Sequence, residues 1–208
     1  MTKFLLKGGW AMWPILFCSI ISLSIILERL FKFRKVRFNS TAFLSQMEDS
    51  VMAGRIDKAA HRYQRNGNFS DKLCRLIIEN YRSPVREKEI LYENFISVQT
   101  RELGKNIRAL GIIGQIAPLL GLLGTVSGMI KVFLSIEKVG GPVNVGTLAG
   151  GIWEALLTTA AGLTIAIPTL IVYYHLEGRL EDFSLKIKEA ISHLDILLSR
   201  RELRENKK

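Results

Sequence analysis

Three stretches of this sequence, Gly8 to Leu27, Ala109 to Ile130 and Ala155 to Tyr174, contain no Lys, Arg, Asp or Glu. Each is at least 20 residues long, and a helix needs about 20 apolar residues to cross the ~30 Å hydrocarbon core of a bilayer. Lipid offers no partner for a bare peptide group, so such runs must be helices, which satisfy their own backbone. In a chain of 208 residues they leave room for little else. They predict an all-α, polytopic membrane protein with three transmembrane helices.

The remaining charge gives the orientation. The formal net charge of +10 would suit nucleic acid, but residues 29–108 hold 17 basic against 9 acidic residues, and the tail from 176 is nearly balanced. The segment 131–147, beyond the second run, holds only Lys131, Glu137 and Lys138. Excess Lys and Arg marks the cytoplasmic side, and lipid headgroups account for that basicity without nucleic acid. Lys3 and Lys7 before the first run resemble a secretory signal. The run is longer than a usual signal core, however, and ends at Glu28-Arg29 without a small-residue cleavage pattern. The basic cluster Arg29, Lys32, Arg34, Lys35 and Arg37 outweighs the two lysines and sends the N-terminus outside.

The expected organisation follows from these runs. Residues 1–28 form the outer N-terminus and first span, anchored by Trp10 and Trp13 at the interface. Residues 29–83 form a cytoplasmic helical loop punctuated by Gly54 and Asn66-Gly67-Asn68. Residues 84–134 form one long helix rising from the cytoplasm through the second span. Ser83 is its expected cap and Pro84 its first residue, with Leu91, Phe95 and Val98 on its apolar face. A short outer loop covers 135–147, the third span 148–174, and a cytoplasmic helix and tail 175–208. In that last segment Leu176, Leu180, Phe183, Ile187, Ile191, Leu194 and Leu198 recur at steps of three and four, a seam that needs a partner helix. Cys18 and Cys74 fall on different sides of the membrane surface and read as packing residues. His61, His175 and His193 lack metal-ligand spacing, and no cofactor motif or nucleophile–base pair is evident.

Small residues line both later spans. Gly114, Pro118, Gly121, Thr125 and Gly128 form one stripe, with Gly124 beside it; Ala155, Thr159, Gly162 and Ala166 form another, with Pro168 beyond. Such stripes permit close helix approach, and Pro118 and Pro168 are candidate kinks. Glu154 is the ionisable residue within an apolar span. A carboxylate near the bilayer centre costs about 2.5–3.5 kcal/mol, which points to reversible protonation; the other reading is a carboxylate solvated at the outer end of the third helix. Thr125, Thr158 and Thr159 are the other polar candidates, against the ordinary alternative of a hydroxyl bonded to the carbonyl one turn back. Thr125 and Thr159 each fall nine residues from the outer end of their spans, about 13 Å down. Two threonines and a carboxylate at one level would make a polar constriction able to order water.

The segment Ala117-Pro118-Leu119-Leu120-Gly121-Leu122-Leu123-Gly124-Thr125-Val126-Ser127-Gly128 resembles the second-span signature of the MotA/TolQ/ExbB proton channels. Gly151-Ile152-Trp153-Glu154-Ala155-Leu156-Leu157-Thr158-Thr159 through Pro168 resembles their third-span signature. The resemblance implies a subunit of ExbB/TolQ type in the bacterial inner membrane, with a periplasmic N-terminus and a cytoplasmic C-terminus. Five copies would surround the membrane helices of ExbD/TolR-like partners carrying a membrane Asp, with a TonB/TolA-like protein reaching across the periplasm. Thr125 and Thr159 match the pore-lining threonines and Glu154 the third-span glutamate. The implied role is a proton-conducting, non-enzymatic motor subunit without cofactor, and the chain itself has no Asp in any of the three runs. Ser127 departs from the Trp of many relatives, and the loop lacks the large inserts of flagellar stators. Outside the resemblance stand two rivals: a non-conducting membrane scaffold, and a solute transporter, whose internal repeats and broken helices are not evident here.

Overall fold

The computed structural model describes residues 9–35, 38, 40–52, 69–139 and 145–205. Among these there are six helices: α1 (Met12–Lys35), α2 (Ser40–Met52), α3 (Phe69–Asn80), α4 (Val85–Gly104), α5 (Ile107–Val139) and α6 (Val145–Glu205). The expected turns at Gly54 and at Asn66-Gly67-Asn68 lie outside the described residues. Helices α1, α5 and α6 are long and apolar enough to cross a membrane. The protein is therefore an all-α, multi-pass membrane protein. It divides into two compact units, Met1–Phe31 with Asn106–Glu177, and Lys32–Lys105 with Gly178–Lys208.

The first unit contains the membrane helices. A turn at Gly9, with φ +65°, precedes α1 and is closed by Met12 N–H donating to the Gly9 carbonyl at 3.3 Å. Ala11, Ile15, Ser22 and Arg29 mark the buried face of α1, and Trp13, Phe17, Ile20, Leu23 and Leu27 its exposed face. In water that second face would be an error; in lipid it is the solvent-matched side. The spans exceed the uncharged runs, because helices continue past the lipid wherever nothing breaks them. Thus α5 reaches Val139 and α6 begins at Val145.

The second unit is built from α2, α3, α4 and the C-terminal half of α6. Its core includes Met47, Leu73, Cys74, Ile77, Ile187, Leu194 and Leu198, each at most 1% exposed. Rings of Phe38, Phe43, Phe69 and Phe183 meet at centroid distances of 5.0–6.4 Å. The seam predicted from Phe183 to Leu198 is buried at Phe183, Ile187, Ile191, Leu194 and Leu198, so these helices are its partners.

Three local expectations need correction. The single helix expected from Pro84 into the second span is two helices, interrupted at Lys105-Asn106. Asn106 takes φ +65°, a left-handed conformation that Asn tolerates better than most side chains. A Cβ on Gly104 would meet a Leu180 methyl at 2.7 Å, so a larger residue there would make Leu180 shift. Ser83 does not cap α4; Pro84 stands at the cap with no side-chain bond, and its carbonyl accepts the N–H groups of Glu87 and Lys88 at 2.9 and 3.0 Å. Finally, the fully buried positions of α4 are Lys88, Tyr92, Ile96 and Leu103, while Leu91 and Phe95 are half-buried and Val98 is exposed. Lys88 Nζ donates to both carboxylate oxygens of Asp195, at 2.8 and 3.0 Å, and this pair sets the rotation of the helix. A purely apolar count misses a face led by a lysine stem.

Cys74 gives this unit a chemical reporter. Its thiol lies 3.4 Å from the Met47 sulfur. Burial first, and the Asp71 carboxylate second, push its pKa up to about 12. The thiolate is the reactive form, so at pH 8 the folded unit should react with iodoacetamide at least about 100-fold more slowly than the denatured chain. A Cys18→Ser background and intact-mass kinetics would measure this; equal rates would contradict the burial.

Candidate functional site

The small residues of α5 and α6 determine how these two helices meet. A Cβ on Gly114 would lie 2.6 Å from Leu170, on Gly121 2.9 Å from Thr159 Cα, and on Gly128 3.1 Å from the Ala155 methyl. On Gly162 it would lie 2.5 Å from the Ala117 carbonyl oxygen, and on Gly124 it would run into the Thr158 hydroxyl. These contacts define an antiparallel pair in which 114 faces 170, 121 faces 159 and 128 faces 155. The face of α5 is thus Gly114, Ala117, Gly121, Gly124 and Gly128, shifted by one residue from the expected stripe at two positions. Pro118 and Thr125 stand at its edge, half-buried. Pro118 and Pro168 both lie inside helices. Lacking an N–H, each leaves the carbonyl four residues back, on Gly114 and Thr164, without its usual amide partner.

At the centre of the pair, the Thr159 hydroxyl donates to the Gly121 carbonyl across the helices at 3.0 Å. Gly121 must lack a side chain for that carbonyl to come within reach. Thr125 donates to Leu122 O at 2.6 Å, the local bond that threonine commonly makes in helices. Both hydroxyl protons are therefore committed, and both oxygens keep lone pairs as acceptors. Thr158 differs: it donates to Ala155 O at 2.7 Å and is only 1% exposed, packed against Gly124. It belongs to the helix contact.

Depth separates the polar residues into two tiers. Thr125 stands 14 residues before the end of α5 and Thr159 14 residues after the start of α6, each about 21 Å along its helix at 1.5 Å per residue. They share a level, though a deeper one than shorter spans would give. Glu154 stands five residues nearer the start of α6 and is not on that level. Its partner is Lys131, with Nζ at 3.2 Å from Oε1. Lys131 closes the uncharged run of α5, and counting it with the outer loop conceals it. The same arithmetic that pairs Thr125 with Thr159 would have found it, since each residue lies about 12–13 Å from its helix end. The Gly9 turn forms another wall, because a Cβ on Gly9 would collide with Glu154 Oε1. Glu154 is therefore neither a lone carboxylate nor fully solvated; its side chain is 29% exposed. Among the described residues no group of three or more His, Cys, Asp or Glu is placed to hold a metal ion.

Two facing helices with small residues at the contact, a threonine on each at one level and a glutamate above them form a distinctive pattern. The MotA/TolQ/ExbB proton channel family matches residues 45–189, which include all of α5 and α6 as far as residue 189. The chain belongs to that family. An ExbB-like member, it is 29% identical over 168 residues to biopolymer transport protein exbB1 of Vibrio cholerae, covering 78% of this chain and 72% of the relative. It is 32% identical to the putative biopolymer transport protein ExbB-like 1 of Synechocystis, covering 81% and 67%. Against biopolymer transport protein ExbB of Pseudomonas putida it is 27% identical and spans 57% of the relative's length. MotA/TolQ/ExbB membership makes it a membrane transport protein rather than an enzyme.

Proposed function

We propose that this chain is the proton-conducting subunit of an ExbB/TolQ-type motor in the bacterial inner membrane, with its N-terminus periplasmic and its C-terminus cytoplasmic. Copies of it, five by family resemblance, enclose a conduit lined by Thr125 and Thr159, with Glu154 at its outer mouth and Thr158 supporting the helix contact behind. The observation that carries this reading is the cross-helix Thr159–Gly121 bond at the level of Thr125. Together with the Thr125–Leu122 bond, it leaves two threonine oxygens as acceptors, which suit water or the O–H of a protonated carboxyl group. The chain has no Asp in its spans to provide that group. An ExbD/TolR-like partner with a membrane Asp completes the relay, and a TonB/TolA-like protein carries the force to the outer membrane. One charge crossing 100 mV releases about 2.3 kcal/mol, so mechanical work requires several protons in sequence.

The test is Thr159→Val compared with Thr159→Ser, each co-expressed with the single-span partner and reconstituted in vesicles. Membrane hydrogen bonds average about 0.6 kcal/mol, too little to unfold the pair. Thr159→Val should therefore assemble normally yet lose more than about tenfold in proton flux, the lower range for a positioned proton-transfer group, while Thr159→Ser keeps most of it. Equal flux in both would refute the lining role. No flux in wild type would favour the non-conducting scaffold.

A further inference from the structure

Glu154 is held on two sides by features that owe nothing to each other. Lys131 reaches it from α5 at 3.2 Å, and the Gly9 turn, in a backbone conformation that favours glycine, presses its α-carbon toward the same carboxylate oxygen. No other charged residue occurs on α5 between Arg108 and Glu137 or on α6 before Glu177. Among the described residues of α5 and α6, the charge at this level is therefore carried by these two side chains.

We propose that Lys131 is a positioning residue that holds Glu154 in an ion pair at the outer mouth and thereby fixes where its carboxyl group points. The ammonium compensates the cost of holding a carboxylate in an apolar span, and it orients Oε1 toward α5 and the Gly9 turn. A lysine without its glutamate would place one positive charge per protomer at the mouth and repel entering protons. Lys131 thus acts on conduction through Glu154. That consequence rests on the conduit reading, whereas the pairing does not.

The probe is dicyclohexylcarbodiimide, an apolar carbodiimide that modifies carboxyl groups in their protonated form. Full-length protein purified with its co-expressed partner is treated at pH 7, and the modified peptide is quantified by mass spectrometry, with Glu154→Gln as the blank. Wild type and Lys131→Arg should be modified little. Lys131→Gln should be modified at Glu154 about tenfold faster, because the carboxyl group no longer has its ammonium partner. Equal modification of Lys131→Gln and wild type overturns the proposal. Should Lys131→Gln fail to accumulate, the charge swap Lys131→Glu with Glu154→Lys decides the matter: restored accumulation supports the pair, and continued loss overturns it. Proton flux from the same vesicles separates the two readings. Protection of Glu154 without wild-type flux removes the conduit and keeps the pair; flux without protection removes the pair alone.

Discussion

Gly162→Leu should eliminate assembled protein from the membrane, while Gly150→Ala and Gly178→Ala leave its amount unchanged. A Cβ at 162 would sit 2.5 Å from the Ala117 carbonyl oxygen and 3.3 Å from Gly121 Cα. Both neighbours are backbone, which cannot rotate aside as a side chain can. The helices would have to separate, and separation also breaks the Thr159–Gly121 bond and empties the Gly124–Thr158 contact. Overpacking of this kind costs about 1–3 kcal/mol when a core can adjust. Here the contact itself is what joins two lipid-facing helices, since lipid provides no hydrophobic drive between them. At Gly150 and Gly178 nothing lies within 4 Å of the added atom, so these variants control for helix propensity. Membrane-fraction yield and oligomer size on gel filtration in mild detergent give the measurement. Normal assembly of Gly162→Leu would contradict the close approach of α5 and α6.

Asp195→Ala should destabilise the second unit, Lys32–Lys105 with Gly178–Lys208, by about 3 kcal/mol. Lys88 is 6% exposed, and both its hydrogen bonds to a side chain go to that carboxylate. Removing one partner of a buried pair costs about 3–5 kcal/mol, chiefly because the other charge stays buried alone. The carboxylate is 29% exposed, which places the value at the lower end. The double variant Lys88→Met with Asp195→Leu should recover most of the loss, because it leaves no orphaned charge. Tyr92, whose hydroxyl approaches Asp195 at 3.5 Å, adds a pH dependence of definite sign. Burial, then the Asp195 charge, then the bond to it raise its pKa well above the usual tyrosine value. The folded phenol thus keeps its proton where the unfolded one loses it. Its contribution is complete below about pH 10 and declines as pH rises beyond that. Chemical denaturation followed by the Cys74 reaction reads both effects, and a Tyr92→Phe variant should flatten the alkaline limb.

The three membrane helices were legible because absence of charge over 20 residues has one physical solution. The seam from Phe183 to Leu198 was legible because a helix of that period must cover its apolar side. The phase of α4 was not, since its buried face begins with Lys88, a residue that hydropathy assigns to solvent. The interruption at Lys105-Asn106 was marked in advance by Gly104 and Asn106, both helix-ending residues, yet neither prevents a helix alone; the left-handed backbone at Asn106 decides it. Among the site residues, the common level of Thr125 and Thr159 followed from counting. The separation of Glu154 from that level did not, because helix ends are the least certain boundaries in a sequence. Those same ends conceal Lys131. Thr158 and Thr159 are neighbours of identical chemistry, and only the pairing of Gly124 with one and Gly121 with the other assigns one to packing and one to a bond across the helices.

Pro118 and Pro168 have a consequence for what surrounds the membrane helices. Each strips one peptide oxygen of its ordinary donor at a depth where hydrocarbon has none to give. Such an oxygen is satisfied instead by a neighbouring helix, a Ser or Thr hydroxyl, an ordered water or a local adjustment of its own helix. The sequence thus sets a spare acceptor in two of its three spans.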